Sequence, residues 1–230
     1  MFSYEVKNQI RPMDKMKAKT GSSTMPSTRD RGRPRAFDRE AALAQATRLF
    51  WVKGYEATSI SDLKEAMGIG SPSLYAAFTS KEALYAEALD YYRTHYEALV
   101  WDKFAAAGTA REAVASFLLD SAAALSGCVA DIPLGCMVTL STVGNEGHTE
   151  LGELVKSARA ATLGRLKDRL ARAVHEGELP QATDVHALAR FVQAVQNGMS
   201  ILGRDGASHD ELRDVAHATL LGFDARTRNG

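Results

Sequence analysis

Apolar residues between positions 58 and 84 recur with helical spacing, and the recurrence is broken twice after short runs. Ile60, Leu63 and Met67 lie three or four residues apart, which places them on one face of a helix of about two turns. Leu74 and Phe78 lie four residues apart and mark a second short helix. The pattern therefore predicts two short helices joined by a tight turn, followed by the start of a longer third helix.

The residues at the ends of these runs support the same boundaries. Ser59 and Asp62 have the spacing of a capping box, and Gly68 suits the left-handed conformation in which helices commonly end. Ser71 and Pro72 are expected to begin the second helix as its N-cap and first helical residue. The turn between the two helices is therefore short.

A second capping box, at the start of the third helix, is predicted from Thr79 and Glu82. Two short helices joined in this way form a helix-turn-helix, and the second has the dimensions that suit a DNA major groove. Ser73, Ala76 and Ala77 are expected on its outer face, away from the apolar residues. The segment is therefore predicted to bind DNA.

This segment resembles the DNA-binding domain of the TetR family of one-component transcriptional regulators over residues 37–89. The resemblance implies an all-α fold, with an N-terminal three-helix helix-turn-helix domain at 36–84 and a larger helical ligand-binding and dimerisation domain at 85–230. It is carried by Thr58, Gly68, Ile69, Leu74, Tyr75, Phe78, Ser80, Lys81, Glu82 and Leu84.

The resemblance also implies which residues contact DNA. In the family the residues that match Tyr75 and Lys81 touch phosphates, although a tyrosine at helical spacing is also an ordinary core residue. Lys81 lies at a predicted helix N-terminus, where backbone N–H groups favour phosphate. Thr58, Ser71 and Ser73 complete the contacts that we expect from the helix-turn-helix.

The sequence departs from the family pattern at two places. Gly70 stands where the family usually has a capping serine, so the cap is expected to move to Ser71. Ala76 and Ala77 replace positions that are often arginine or histidine in the family.

The chain ahead of the helix-turn-helix, residues 1–35, is predicted to be a disordered, basic arm. Its first 30 residues are polar and show no sustained period, so they cannot bury enough apolar surface to offset the entropy of ordering. Arg33, Pro34 and Arg35 resemble the core of an AT-hook, in which arginines enter the narrow minor groove of A·T-rich DNA. A solvated basic linker is the alternative interpretation.

Outside the helix-turn-helix the pattern predicts further helices and no strand-like alternation, which gives nine helices in all. The stretches LGCMV, GELP and GMSILGRDGAS resemble the regulatory domain of one subgroup of the TetR family. The additional predicted helices cover residues 39–53, 81–104, 110–126, 133–144, 149–176, 185–203 and 209–223.

The resemblance implies that the last two helices pair with those of a second subunit. Their apolar faces are wider than one small domain should need, although both could also pack inside a single subunit. A two-fold homodimer would match palindromic DNA half-sites. The apolar residues are Leu188, Phe191, Val192, Val195, Met199, Leu202, Leu212, Val215, Ala216 and Leu220.

By the same resemblance, the middle helices are expected to surround a ligand pocket. A set of aromatic and sulfur-containing residues provides the candidate lining, and ordinary core packing is the alternative for each of them. The set contains few charges, which predicts a small, largely apolar effector. Its members are Tyr92, Tyr96, Trp101, Phe104, Phe117, Cys136 and Met137.

The composition narrows the choice of function. The formal net charge is +0, so DNA binding must depend on where the basic residues lie. No apolar stretch approaches the ~18 residues of a membrane span, and the N-terminus lacks the apolar segment of a signal peptide. Cys128 and Cys136 are the only cysteines, which favours a reducing cytoplasm over a disulfide scaffold.

Residues 145–150, NEGHTE, place carboxylates beside a histidine, but adjacent residues do not share a helix face. The chain also lacks a glycine-rich phosphate loop, a nucleophile elbow and metal-ligand spacing, so we expect no enzyme activity, cofactor or metal. Together with the family resemblance, the sequence predicts a dimeric repressor that a small-molecule effector releases from a palindromic operator in double-stranded DNA. The alternatives are a thiol sensor that reacts through Cys136 or Cys128, and an architectural DNA binder without a defined operator.

Overall fold

The computed structural model describes residues 38–129 and 131–228, and within these ranges the chain forms ten α-helices, one 3-10 helix and no strand. The all-α fold predicted from the sequence is therefore confirmed. The helices are α1 (Arg39–Lys53), α2 (Ile60–Met67), α3 (Ser71–Phe78), α4 (Lys81–Tyr96), α5 (Ala98–Ala106), α6 (Ala110–Leu125), α7 (Met137–Leu140), α8 (Thr149–His175), α9 (Val185–Arg204) and α10 (His209–Thr227), with the 3-10 helix at Val143–Glu146.

Most of the predicted helix ends are confirmed. Ser59 and Asp62 form a reciprocal capping box at α2, and the bonds from Ser59 and Lys53 hold the pKa of the Asp62 carboxyl at about 2. Gly68 ends α2 in the left-handed conformation. Side-chain caps also form at Asp38 of α1, Thr109 with Glu112 of α6, Asp184 of α9, and Ser208 with Glu211 of α10.

Two predicted caps are wrong by one residue. Gly70, and not Ser71, is the N-cap of α3, so Ser71 is its first helical residue and makes no side-chain cap bond. Thr79 closes α3 with a positive φ of 61°, and Ser80 caps α4 by accepting a hydrogen bond from the Ala83 amide. The predicted box of Thr79 with Glu82 does not form because Thr79 belongs to the helix before it.

The single helix predicted at 81–104 is two helices, α4 and α5. Glu97 lies between them and keeps helical backbone angles, with φ −61° and ψ −35°. The two helices therefore follow one another without a loop. Glu97 also forms ion pairs with Arg93 and Arg165, at 3.3 and 2.8 Å, and the second of these holds the join against α8.

The helix predicted at 133–144 is also wrong, because only the short α7 and the 3-10 helix form there. Gly135 has a φ of +73°, and a Cβ at this position would lie 2.8 Å from the Ser200 carbonyl oxygen. The chain passes so close to α9 that a regular helix cannot run through residue 135. Ser141, with extended backbone angles, then separates α7 from the 3-10 helix.

One hydrophobic core joins the helix-turn-helix to the elements next to it. Phe50, Leu63 and Leu74 contribute from α1, α2 and α3, while Tyr85 and Leu151 contribute from α4 and α8. Burial of a large apolar side chain contributes about 1.5–3 kcal/mol, so these contacts fix α1, α2 and α3 relative to α4.

A second core holds the larger helical domain together. It contains Phe104 of α5, Phe117 of α6, Leu166 of α8, Met199 of α9 and Leu220 of α10, all of them buried. No helix in the described residues is both long and apolar enough to cross a membrane.

The wide apolar face predicted for α9 is divided between the inside and the outside of the subunit. Leu188, Val192 and Met199 are buried in the second core, so for them internal packing is the correct interpretation. Phe191 and Leu202 lie on the surface, 39% and 45% exposed. The face open to a partner is therefore narrower than predicted.

Candidate nucleic-acid interface and internal cavity

Helix α3 is held by its apolar side and presents small polar and aromatic residues outward. Leu74 and Phe78 are buried at 0% and 1% exposure. Ser73, Tyr75 and Ala76 are exposed, and the 48% exposure of Tyr75 leaves its hydroxyl outside the core. The core-packing alternative for Tyr75 is therefore excluded. The outer face suits close approach to DNA and carries no charged group of its own.

Lys81 supplies a cation at the start of α4, directly after α3. Its Nζ atom lies 4.2 Å from the centroid of the Tyr55 ring. The Tyr55 hydroxyl donates a hydrogen bond to Glu82 Oε1 at 2.9 Å. Burial and the Glu82 carboxylate raise the pKa of the Tyr55 phenol. Tyr55 thus stays neutral and provides an aromatic platform for the Lys81 ammonium.

The remaining residues predicted to contact DNA do not all reach this surface. Thr58 is completely buried, and its hydroxyl donates a 2.6 Å hydrogen bond to the Gly54 carbonyl, so it is not available to DNA. Ser71 is half-buried at the first position of α3. Arg33 and Arg35 lie outside the described residues.

An internal cavity of about 80 Å³ lies in the larger domain beside α1. Most of the residues predicted to bind a ligand do line it, and Trp51 of α1 joins them without having been predicted. Met137 does not line the cavity, since it is buried in the core that surrounds the helix-turn-helix. Phe104 lies in the second core. The predicted residues in the wall are Tyr92, Tyr96, Trp101, Phe117 and Cys136.

One side of the cavity is polar, which the sequence interpretation missed. Gln193, Gln196 and Asn197 of α9 line it together with Thr139 and Thr162. The Thr139 hydroxyl donates a hydrogen bond to Asn197 Oδ1 at 3.3 Å. The signal was present in the sequence, because three amide side chains interrupt the otherwise apolar inner face of α9.

The charged groups in the wall, Arg159 and Glu97, already have hydrogen-bonding partners within the protein. The Arg159 guanidinium donates hydrogen bonds to the carbonyls of Val138, Thr139 and Ser141, at 3.1, 3.1 and 2.5 Å. Glu97 is held by Arg165 and Arg93. The cavity therefore offers aromatic faces and neutral amide or hydroxyl groups to a ligand.

Cys136 is the cysteine that belongs to this cavity. Its Sγ atom accepts a hydrogen bond from the Tyr92 hydroxyl at 3.3 Å. Burial, followed by the neighbouring Cys136, raises the pKa of the Tyr92 phenol well above its usual value. Both cysteines are free, and Cys136 is the less exposed of the two.

His148, the histidine of the acidic stretch, is the N-cap residue of α8, although its side chain makes no cap hydrogen bond. Its Nε2 atom is 2.7 Å from Glu56 Oε1, and its ring packs against Tyr55. Among the described residues, no group of three or more His, Cys, Asp or Glu side chains could hold a metal ion.

A helix-turn-helix with an exposed second helix, attached to a larger helical domain with an internal cavity, defines a DNA-binding transcriptional regulator. The family model "Bacterial regulatory proteins, tetR family" matches residues 42–88. The chain is 40% identical over 206 residues to the HTH-type transcriptional repressor ComR of Escherichia coli (strain K12), a match that covers 86% of this chain and 94% of ComR. The chain therefore belongs to the TetR family.

Other relatives agree with this assignment. The HTH-type transcriptional repressor BdcR of Escherichia coli (strain K12) is 31% identical over 207 residues, which covers 89% of this chain and 97% of BdcR. A cysteine mutant of the TetR family transcriptional regulator CifR, complexed with 26-base-pair double-strand operator DNA, has a similar structure. Its TM-score is 0.77 at 36% identity, with 83% of this chain and 100% of the CifR chain covered.

Membership in this family settles the broad class of the protein. The chain is a regulator of transcription and not an enzyme, because the family and the repressors similar to it act by binding DNA. The expectation from the sequence that it binds double-stranded DNA is confirmed at this level.

Proposed function

We propose that the protein is a dimeric repressor in the cytoplasm, released from a palindromic operator by a small neutral effector that enters the internal cavity. The observation that carries this proposal is the cavity itself, whose wall combines aromatic rings with uncharged hydrogen-bonding groups. The similar ComR and BdcR are repressors, which supports the direction of regulation.

The DNA-binding domain, which we place at residues 36–84, would read the operator through α3. Ser73 is exposed on this helix and can hydrogen-bond to either base edge, while Ala76 can contact a thymine methyl. Tyr75 and Lys81 would bind phosphates and set the register of the protein on the duplex. The arm at 1–35 would follow the adjacent minor groove through Arg33 and Arg35.

The size and chemistry of the cavity define the effector class. A volume of about 80 Å³ is far below the roughly 300–1,000 Å³ of drug-sized sites, so the effector is small or the cavity opens as it binds. The Arg159 guanidinium already donates to three backbone carbonyls and the Glu97 carboxylate is held by two arginines, so an ionic ligand would lose its hydration and find few free hydrogen-bonding partners on either group. A neutral compound with one apolar and one hydrogen-bonding end fits this wall.

Release would follow from a shift between two conformations. The effector must bind more tightly to the conformation in which the two α3 helices no longer match the spacing of the half-sites. A coupling factor of 5–150, which corresponds to about 1–3 kcal/mol, is typical of such linkage.

The dimer would form through the exposed faces of α9 and α10 in the domain that we place at 85–230. Phe191, Ile201 and Leu202 are exposed on α9, and Leu221 is 70% exposed on α10. A Cβ at Gly198 would meet no atom within 4 Å, which leaves room for a partner helix. An apolar face of this kind on two adjacent helices is typical of an interface between subunits.

The test begins with selection of bound duplexes from a random pool. The selected operator is then used in a release assay with phenol, benzyl alcohol, cyclohexanol and cyclohexanone, with benzoate and benzylamine as charged controls. We expect release by neutral compounds and none by the charged ones. Release by benzoate alone would contradict the neutral effector, and the absence of any selected sequence would support the architectural alternative.

A second candidate function, a thiol sensor, is favoured by the hydrogen bond between Tyr92 and Cys136 at the cavity wall. Cys128 is exposed and does not line the cavity. The double variant Cys128→Ser/Cys136→Ser decides between the two. If the protein responds to a reversible effector, the variant keeps that response; if the protein is a thiol sensor, the variant loses it.

A further inference from the structure

Trp51 belongs to the first helix of the DNA-binding domain, yet its indole forms part of the cavity wall. Its ring centroid lies 4.7 Å from that of Tyr92 and 5.3 Å from that of Tyr96, both in edge-on contact. Trp51 is only 3% exposed, so it has no access to solvent on its other side. A molecule that enters the cavity therefore meets the DNA-binding domain directly.

Hydrogen bonds hold Trp51 at both its side chain and its backbone. Its indole Nε1 donates to the Gly135 carbonyl at 3.1 Å, and its own carbonyl accepts from Arg204 Nη2 at 2.6 Å. Arg204 also donates to the carbonyls of Val52 and Leu134, each at 3.0 Å. The last carbonyls of a helix have no partner within it, so Arg204 of α9 caps the C-terminus of α1.

The segment that receives the indole bond has little freedom to move. The Gly135 amide donates to the Leu125 carbonyl at 2.9 Å, and the Cys136 amide donates to Ser200 Oγ at 2.8 Å. A Cβ on Gly135 would lie 2.6 Å from Leu140 Cδ1. A displaced indole must therefore move α1, because the segment on its other side is fixed to α6 and α9.

Trp51 is also connected to the recognition helix through the hydrophobic core around it. Trp51 shares a buried core with Leu63 of α2 and with Leu74 and Phe78 of α3. Close-packed cores transmit displacement because they contain few voids to absorb it. A shift of the last turn of α1 would therefore change the position of α3.

We propose that Trp51 is an effector-contact residue supplied by the DNA-binding domain, and that the Arg204 cap makes α1 respond to what fills the cavity. This inference rests on the proposed function, since it assigns the route by which the effector weakens operator binding. Linkage is reciprocal, so operator binding must also change the surroundings of Trp51.

The two tryptophans of the chain make this testable without knowledge of the effector. Both line the cavity, but Trp101 lies on α5 and stacks against Phe117 and Arg165 of the larger domain. The full-length protein labelled with 5-fluorotryptophan gives one ¹⁹F signal for each, assigned through Trp51→Phe or Trp101→Phe. We expect the selected operator duplex to shift the Trp51 signal and to leave that of Trp101 in place.

Arg204→Gln tests the cap, and Arg213→Gln, which removes an arginine paired with Asp210 on α10, is the matched control. We expect Arg204→Gln to bind the operator but to lose the Trp51 shift, and Arg213→Gln to keep it. Arg204→Lys, which retains the charge, serves if the glutamine variant does not fold, and there the shift should be reduced. A full shift in every folded Arg204 variant would overturn the role of the cap.

Further outcomes separate this inference from the proposed function. If neutral compounds release the operator while neither DNA nor compound moves the Trp51 signal, the proposed neutral effector is supported. The proposal that the effector acts through Trp51 is then wrong. If the operator shifts the Trp51 signal but no compound releases the operator, the coupling between Trp51 and DNA binding is supported. The proposed class of effector is then wrong. Equal shifts of both tryptophans on DNA binding would also overturn the proposal.

Discussion

The Nζ atom of Lys81 lies over the face of the Tyr55 ring, 4.2 Å from its centroid, at the N-terminal end of α4. A cation–π contact at an exposed site contributes about 0.5–1 kcal/mol, enough to favour one position of the ammonium. Lys81 is thus held beside α3, where a helix N-terminus already favours phosphate.

From this arrangement we expect Lys81→Ala to weaken binding to all DNA sequences alike, because one phosphate contact is lost. The slope of log K against log [salt] should become shallower by about 0.9 per subunit. Lys103→Ala, which removes a lysine paired with Asp120 between α5 and α6, is the control and should leave the slope unchanged. A change in sequence preference at constant slope would show that Lys81 is not a phosphate ligand.

Thr58 leads to a prediction about stability and not about DNA. Thr58→Val should lower the free energy of unfolding by about 1 kcal/mol, because the Gly54 carbonyl loses its buried donor. Thr58→Ser keeps the hydroxyl and should lose less. Urea unfolding measures both, and the salt slope of DNA binding should match that of the original protein. A shallower salt slope together with an unaltered free energy of unfolding would instead show that Thr58 contacts DNA.

The Tyr92 phenol should make stability fall at alkaline pH. Its pKa is raised by burial in the folded state, so above pH 10 the unfolded chain loses the proton first and gains stability relative to the fold. The contribution of Tyr92 is fully present below its unfolded pKa and is lost as the pH rises toward the folded value.

Tyr92→Phe should therefore reduce the loss of unfolding free energy as the pH rises above about 10. Urea titrations at several pH values measure this, with Tyr75→Phe as the control for removal of a phenol. An identical pH dependence in Tyr92→Phe and the original protein would contradict the prediction.

The composition of α3 predicts that this helix discriminates weakly between bases. The arm at residues 1–35 should therefore supply much of the sequence selectivity. No Arg, Lys, Asn or Gln occurs from Ser71 to Phe78, so each contact of Ser73 or Ala76 should discriminate by about 1 kcal/mol at most. We expect a palindromic operator flanked by A·T-rich stretches, bound much less selectively after deletion of residues 1–36.

Footprinting of this deletion variant on operator and random DNA checks the role of the arm. A matched variant with Arg33→Ala and Arg35→Ala separates minor-groove contact from mere chain length. Unaltered selectivity in both would mean that the arm is a linker and that α3 reads more than its side chains suggest.

The sequence by itself determined the elements whose signals are local. The spacing of Ile60, Leu63 and Met67, together with the caps at Ser59 and Gly68, specified α2 and the turn because helix ends depend on a few neighbouring residues. The same holds for the capping boxes of α6 and α10. Of the seven residues that the family resemblance suggested for a ligand pocket, five line the cavity.

Tertiary packing decided what depends on contacts distant in sequence. Gly135 could not continue a helix because Ser200 lies against it, and Thr58 was turned inward by the Gly54 carbonyl. Trp51 looked like one more apolar residue of α1, since nothing local shows that its indole reaches a cavity formed by α4, α6 and α9. Local free energies set the helices and their ends, whereas the three-dimensional packing of those helices decided which side chains face the core, the cavity or DNA.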